Sequence, residues 1–198
     1  MSAASVSSSS GELRARCPRS LLDLGSDASP RAGVDGLIPV VLTWSGGTIL
    51  SVRATSEATG LVLPRLVEPH AHLDKAFSWN EYPNEAGTYS GALAANFREH
   101  ETRTAERVQQ RAERALQLAW DHGLRAVRSH IDSLGPGANC SWQVLTDLRA
   151  QWRNRIELQL VALVPVEHWS TVDGEHLAAE VAKVCLLYTS PSPRDNGR

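Results

Sequence analysis

Two histidines, His70 and His72, stand one residue apart at the end of an apolar run, and their type and spacing suit them to chemistry. Alternate side chains on a strand share a face. An H-x-H spacing therefore points both imidazoles into one space, where their neutral nitrogens can hold a transition metal. With seven histidines in 198 residues, a chance H-x-H is about a one-in-four event, so the pair alone says little. Its surroundings say more. Leu61, Val62, Leu63, Leu66 and Val67 read as a short strand, limited by Pro64 and Pro69. Leu73, Asp74 and Lys75 follow at once, bringing charges that are costly to bury without a purpose. Asp74 and Lys75 read equally as supports for the histidines, as lining of the site mouth, or as an ordinary loop ion pair.

The elements that must position this pair follow in sequence. Residues 78–103 are polar and turn-rich and read as a long loop covering the site or as a solvated connector. Thr104 reads as an N-cap, although Arg107 breaks the strict capping box, and a helix through Asp121 follows. Val108, Ala112, Ala115, Leu116 and Ala119 form its apolar stripe, and Gly123 ends it. Residues 124–132 make a second strand, 141–152 a second helix, 156–164 a third strand and 173–184 a further helix. Strand, long helix and strand in that order favour a parallel sheet. His130 and Asp132 again lie two apart at a strand end. They divide between a substrate or supporting role and a structural one. His100, His122 and His176 read as solvated, and His168 is open between the two.

The segment VEPHAHLDKAF resembles the first barrel strand of the amidohydrolase superfamily, specifically its cytosine deaminase-like branch. TAERVQQRAERALQLAWDHGLRAVRSHID resembles that branch's first helix and second strand, and IELQLVALVP its third strand. The resemblance runs from Leu37 to about Val184. It implies an α/β fold: about the first three units of an incomplete (β/α)8 TIM-type barrel, preceded by part of a small β-sandwich. It also implies one divalent metal, Zn or Fe, held by His70 and His72, and a small heterocyclic substrate whose C–N bond a metal-activated water hydrolyses. In the family two further histidines and an aspartate complete the ligand set, and a glutamate shuttles protons. None of these can be assigned here, so the catalytic residues stay unknown. Asp74, Lys75, His130, Asp132 and Glu167 are the candidates for touching substrate or supporting the ligands. In the cytosine deaminase pattern a glutamine beyond the third strand binds the pyrimidine edge. Here Val166 or Glu167 takes its place, which puts cytosine itself in doubt and leaves a related heterocycle or N-substituted amide open.

Composition bounds the remainder. The chain is 42% hydrophobic and 21% charged, as ordinary globular proteins are. A net charge of −2 offers no footprint for nucleic acid or an anionic membrane. No apolar run approaches the roughly 20 residues a membrane span needs. Three separated cysteines, Cys17, Cys140 and Cys185, argue for a reducing, cytoplasmic compartment. Residues 1–35, rich in Ser, Ala, Gly and Pro, read as a disordered tail. Residues 36–62 read as the partial sandwich, with a hairpin turning at Gly46-Gly47, and 63–184 as the barrel portion. The run CLLYTSPSPRD is what one reading frame of a common transposase-based sequencing adapter encodes, which assigns 185–198 to a read artefact. An eightfold barrel takes about 250 residues, so the chain reads as an N-terminal fragment, inactive by itself. Its intact parent is open to homo-oligomer formation. Two other readings stand: a non-catalytic α/β binding module, in which the histidines cap a strand, and another amidohydrolase branch such as a dihydropyrimidinase-like enzyme.

Overall fold

The computed structural model describes residues 10–23, 31–184 and the backbone of Leu187–Thr189, and the chain divides into two compact units at Pro64/Arg65. In the first unit, β1 (Gly11–Pro18), β2 (Leu37–Ser45) and β3 (Thr48–Ala54) form an antiparallel sheet in that order. Gly46 and Gly47, at φ of 58° and 78°, form the two-residue turn between β2 and β3. Both need the left-handed region that glycine enters freely. β1 corrects the expectation of a disordered tail over 1–35. Its residues pair with β2 from Gly11 opposite Trp44 to Pro18 opposite Leu37. Alternation explains the strand: Ala15 and Cys17 are buried, and Cys17 joins Ile38 and Val40 in a small core. The short alternation is masked by its arginines and by the low-complexity residues around it. The rest of the expected tail, 1–9 and 24–30, lies outside the described residues.

The second unit contains β4 (Leu66–Ala71), α1 (Tyr89–Glu101), α2 (Ala105–Asp121), β5 (Leu124–Asp132), α3 (Ala138–Trp152), β6 (Glu157–Leu163), α4 (Val172–Val184) and β7 (Leu187–Thr189). The strands form one parallel sheet in the order β4-β5-β6-β7. It is an open four-stranded sheet and not a closed barrel. The first strand begins at Leu66, later than its apolar residues suggest, and Pro69 lies inside it. A strand at a sheet edge tolerates the missing N–H, and the ladder to β5 is irregular between Glu68 and Ala71. β7 falls within the run ascribed to an adapter. Its main chain pairs with Val161–Leu163, which needs no particular side chain. Residues 185–186 and 190–198 lie outside the described residues.

Helices α2 and α3 supply the apolar layer over this sheet. Val108, Ala112 and Leu116 from α2 and Leu145 and Leu148 from α3 pack with Val127, Ile131, Leu158 and Leu160 from the strands. The stripe on α2 is the one its spacing predicts, since i, i+4 and i+8 recur on one face. The Thr104 hydroxyl accepts the Arg107 N–H at 3.3 Å and caps the helix, which ends at His122 with Gly123 at φ 79°. Thr104→Ala is expected to lower folding stability by about 1 kcal/mol in urea denaturation. A loss near zero would show that water satisfies that N–H equally well. The expected loop over 78–103 is corrected: α1 occupies half of it, capped by Thr88, whose side chain accepts from Gly91 N. Its apolar periodicity is weak, because α1 buries a polar face, Glu99 and His100. Among the described residues no helix is long and apolar enough to cross a membrane.

Candidate active site

The carboxyl end of the sheet gathers the chemistry. β4 delivers an exposed His70, and His72 follows directly, half-buried. The 3-10 turn Leu73–Lys75 then drives Leu73 and Asp74 inward. β5 brings Ser129, His130 and Asp132 to the same level, and α1 contributes Asn96 and Glu99.

Hydrogen bonding settles the state of His72. Its Nδ1 lies 2.8 Å from the His130 carbonyl oxygen, and a carbonyl only accepts, so Nδ1 carries the proton and Nε2 a free lone pair. Burial, aided by the nearby Lys75 charge, lowers the His72 pKa to about 4, so the ring is neutral at pH 7. The His70 and His72 ring centroids are 5.4 Å apart. His70 stacks on His130 at 4.0 Å with the planes 14° apart, and burial followed by the His70 charge lowers the His130 pKa. Two imidazoles on one strand end, one of them neutral with its second nitrogen tied to a carbonyl, are donors of the kind that zinc or iron takes. They are not a complete set, and among the described residues no three His, Cys, Asp or Glu converge as metal ligands.

Beside the histidines, Lys75 Nζ donates to Asp132 Oδ2 at 2.6 Å and Asn96 Nδ2 donates to the same oxygen at 3.1 Å. Burial pushes the Asp132 carboxyl up, but the Lys75 ammonium and these hydrogen bonds overcome it and hold the group below the usual carboxylate range. A carboxyl depressed in this way adds stability above its unfolded value of about 3.9, which is lost as pH falls through the lower folded value. Lys75→Met is therefore expected to move acid unfolding to higher pH, read by circular dichroism. An unchanged acid midpoint would mean that Lys75 does not set the charge of Asp132.

Behind this layer sits a buried ionic cluster. Arg103, its side chain fully buried, donates to Asp74 Oδ2 at 2.8 Å, to Ser141 Oγ at 3.1 Å and to both oxygens of Glu99. Arg111 donates to Glu99 Oε1 at 2.6 Å. Burial pushes the Asp74 carboxyl up to about 6 against the pull of Arg103. Asp74 thus faces the ion cluster through Oδ2, while its Oδ1 is buried without a hydrogen-bond partner. Leu73 N donates to Ser129 Oγ at 3.1 Å and anchors the same turn. Phe77 takes a left-handed backbone at φ 60° just beyond it, a conformation that bulky residues hold only when their surroundings impose it.

Of the sequence candidates, the structure brings together His70, His72, Lys75, His130 and Asp132, and puts Asp74 beneath them. Glu167 is exposed in the 3-10 turn Val166–Ser170 after β6 and makes no hydrogen bond or ion pair among the described residues. His100, expected on the surface, is 6% exposed, with Nδ1 accepting from Gly137 N at 3.3 Å. Helix α1, read as loop, is what buries it. Sequence reading missed Asn96, Glu99 and Arg103. The i, i+4 spacing of Glu99 and Arg103 was a signal of pairing, though spacing cannot distinguish a wet pair from a buried one.

The fold and site define a class: an α/β protein that collects imidazole, amine and carboxylate groups at the carboxyl ends of parallel strands, where such sheets place their active sites. No family model matches the chain. A pterin deaminase of Rhizobium rhizogenes (strain K84 / ATCC BAA-868) is 35% identical over 134 residues, 67% of this chain and 30% of that protein. The solved 5-methylcytosine deaminase of Klebsiella pneumoniae superposes with a TM-score of 0.67 at 22% identity, over 87% of this chain and 41% of that one. N-isopropylammelide isopropylaminohydrolase of Burkholderia multivorans ATCC 17616 gives 0.55 at 22% identity, over 75% and 40%. The chain is thus similar in sequence to a pterin deaminase and shares the fold of a 5-methylcytosine deaminase and an aminohydrolase. It spans less than half the length of each of these relatives.

Proposed function

We propose that this chain is the N-terminal portion of a metal-dependent deaminase that hydrolyses an exocyclic C–N bond of a small nitrogen heterocycle. The observation that carries the reading is His72: neutral, its Nδ1–H engaged by a main-chain carbonyl, its Nε2 free beside His70. His70 and His72 would hold a zinc or iron ion, with further ligands from outside this chain. When bound, such an ion lowers the pKa of a water toward 7 and polarises the carbon under attack. The His130 carbonyl fixes the His72 ring, and the His130 ring backs His70. Lys75, neutralised by Asp132, and Asn96, oriented by the same carboxylate, form the polar wall beside the pair. Such a wall suits a heterocycle with ring nitrogens better than an apolar substrate. The net reaction adds water across the C–N bond, leaving a carbonyl on the ring and releasing ammonia.

The relatives support the heterocycle class, being named for a pterin and for 5-methylcytosine. Val166 or Glu167, at the position where cytosine recognition would require a glutamine, favours a ring other than cytosine. The test is to purify the full-length protein, measure zinc and iron by mass spectrometry, and assay ammonia release from pterin, cytosine and 5-methylcytosine. Bound metal with release from pterin supports the reading. A metal-free protein with no ammonia release from any of the three overturns it in favour of a binding module.

A further inference from the structure

At the opposite end of the parallel sheet, the amino ends of β4, β5 and β6 and the turn before β6 surround a cleft of about 480 Å³. Arg65, Arg125, Arg149, Arg153 and Arg155 line it, with Glu157 the one carboxylate among the lining residues. Guanidinium groups keep their charge at any physiological pH. The chain as a whole carries −2, so this concentration of positive charge is local and does not reflect composition.

Two of the five charges have no protein partner among the described residues. Arg125 and Arg153 are exposed and make no hydrogen bond or ion pair among the described residues. Glu157 accepts from Gln159 Nε2 at 3.2 Å and forms no salt bridge among the described residues. Two of the arginines are nonetheless held in place. Arg65 lies over the Trp120 ring at 4.4 Å and donates to the Leu124 carbonyl, and Arg155 lies over the Trp152 ring at 4.9 Å. Stacking engages the flat face of a guanidinium and leaves its N–H edge for an acceptor in the plane, the geometry in which arginine grips oxyanions. The volume lies in the range of small-ligand pockets, about 300–1,000 Å³. A chain of net negative charge with a concave basic spot is a poor match for an extended nucleic-acid strand.

We propose that this arginine cleft binds a small phosphorylated anion carrying at least two negative charges, at a site separate from the histidine pair. The anion supplies countercharge to Arg125 and Arg153. It also ties the start of β4 to the turn before β6, so occupancy stabilises the native state. The inference does not depend on the activity proposed for the other end.

Pyrophosphate titrated into the full-length protein by calorimetry at low ionic strength tests it. Saturable binding is expected, weakening as salt rises and weakening at least about tenfold in Arg125→Ala/Arg153→Ala through two lost charge-assisted contacts. A rise in Tm with pyrophosphate should disappear in the same variant, while its ammonia release stays that of the wild type. Arg125→Lys/Arg153→Lys, which keeps the charge but loses the fork, should fall between the two and serves if the alanine variant does not fold. Three results would overturn the proposal. They are no binding at millimolar pyrophosphate, binding equal in the variants and wild type as chelation by a bound metal would give, and a short RNA binding at this cleft while pyrophosphate fails to compete.

Discussion

Replacing Arg103 with methionine is expected to cost about 3–5 kcal/mol of folding stability at neutral pH, the range for breaking a buried ion pair from one side. Arg103 is the only cation within hydrogen-bonding distance of Asp74 among the described residues, and the Asp74 side chain is completely buried. Glu99 keeps Arg111 and is hurt less. The loss should depend on pH in a definite direction. The Asp74 pKa, already raised by burial, rises further once Arg103 is gone. A group with a raised folded pKa contributes stability at low pH that disappears as pH rises through that pKa. The variant's deficit should therefore be smaller near pH 5 than at pH 7.5, and Asp74→Asn in the Arg103→Met background should recover part of it at neutral pH. Urea denaturation at the two pH values reads this directly. A deficit below about 1 kcal/mol at both would show that the cluster is far better hydrated than its burial implies.

His72→Ala in the full-length protein should remove bound metal and lower ammonia release by more than about 100-fold, beyond the 10–100-fold typical of residues that only support a ligand. The comparison with His130→Ala makes the result specific. The His130 main chain, not its ring, holds His72 Nδ1, so that variant keeps the hydrogen bond and loses only the stacking on His70. It should retain metal and lose about tenfold in activity, within the supporting range. Equal losses in both variants would remove the distinction between ligand and support. Full activity in His72→Ala would remove the metal reading of the pair.

The two ends of the parallel sheet thus carry opposite chemistry. The carboxyl ends hold the His70 and His72 imidazoles, the latter neutral, and a compensated Lys75–Asp132 pair. The amino ends hold an arginine cluster in which Arg125 and Arg153 make no hydrogen bond or ion pair among the described residues, a setting fit for an anion. The basic cluster lies apart from His72, whose neutrality depends first on burial and then on Lys75.

Local patterning in the sequence determined much of this. The period-3.6 stripe and Thr104 cap of α2, the period-2 spacing of His70 and His72, and the Gly46-Gly47 turn are each properties of a few neighbouring residues, which is why they can be read without coordinates. The resemblance to the amidohydrolases rested on the same short segments. Other features were decided only by tertiary structure. β1 exists because β2 offers it a partner, and the charges around Ala15 and Cys17 hid its alternation. Helix α1 exists despite weak amphipathicity because its buried face is polar, with Glu99 meeting Arg103 and Arg111. Asp74 became a buried partner of Arg103 instead of a ligand support or a loop ion pair, and His100 moved from surface to interior with the same helix. Arg103 reaches Asp74 across 29 positions, Gly137 reaches His100 across 37, Arg111 reaches Glu99 across 12, and β1 draws on a whole neighbouring strand. Solvation by a distant partner leaves no periodic trace in the sequence.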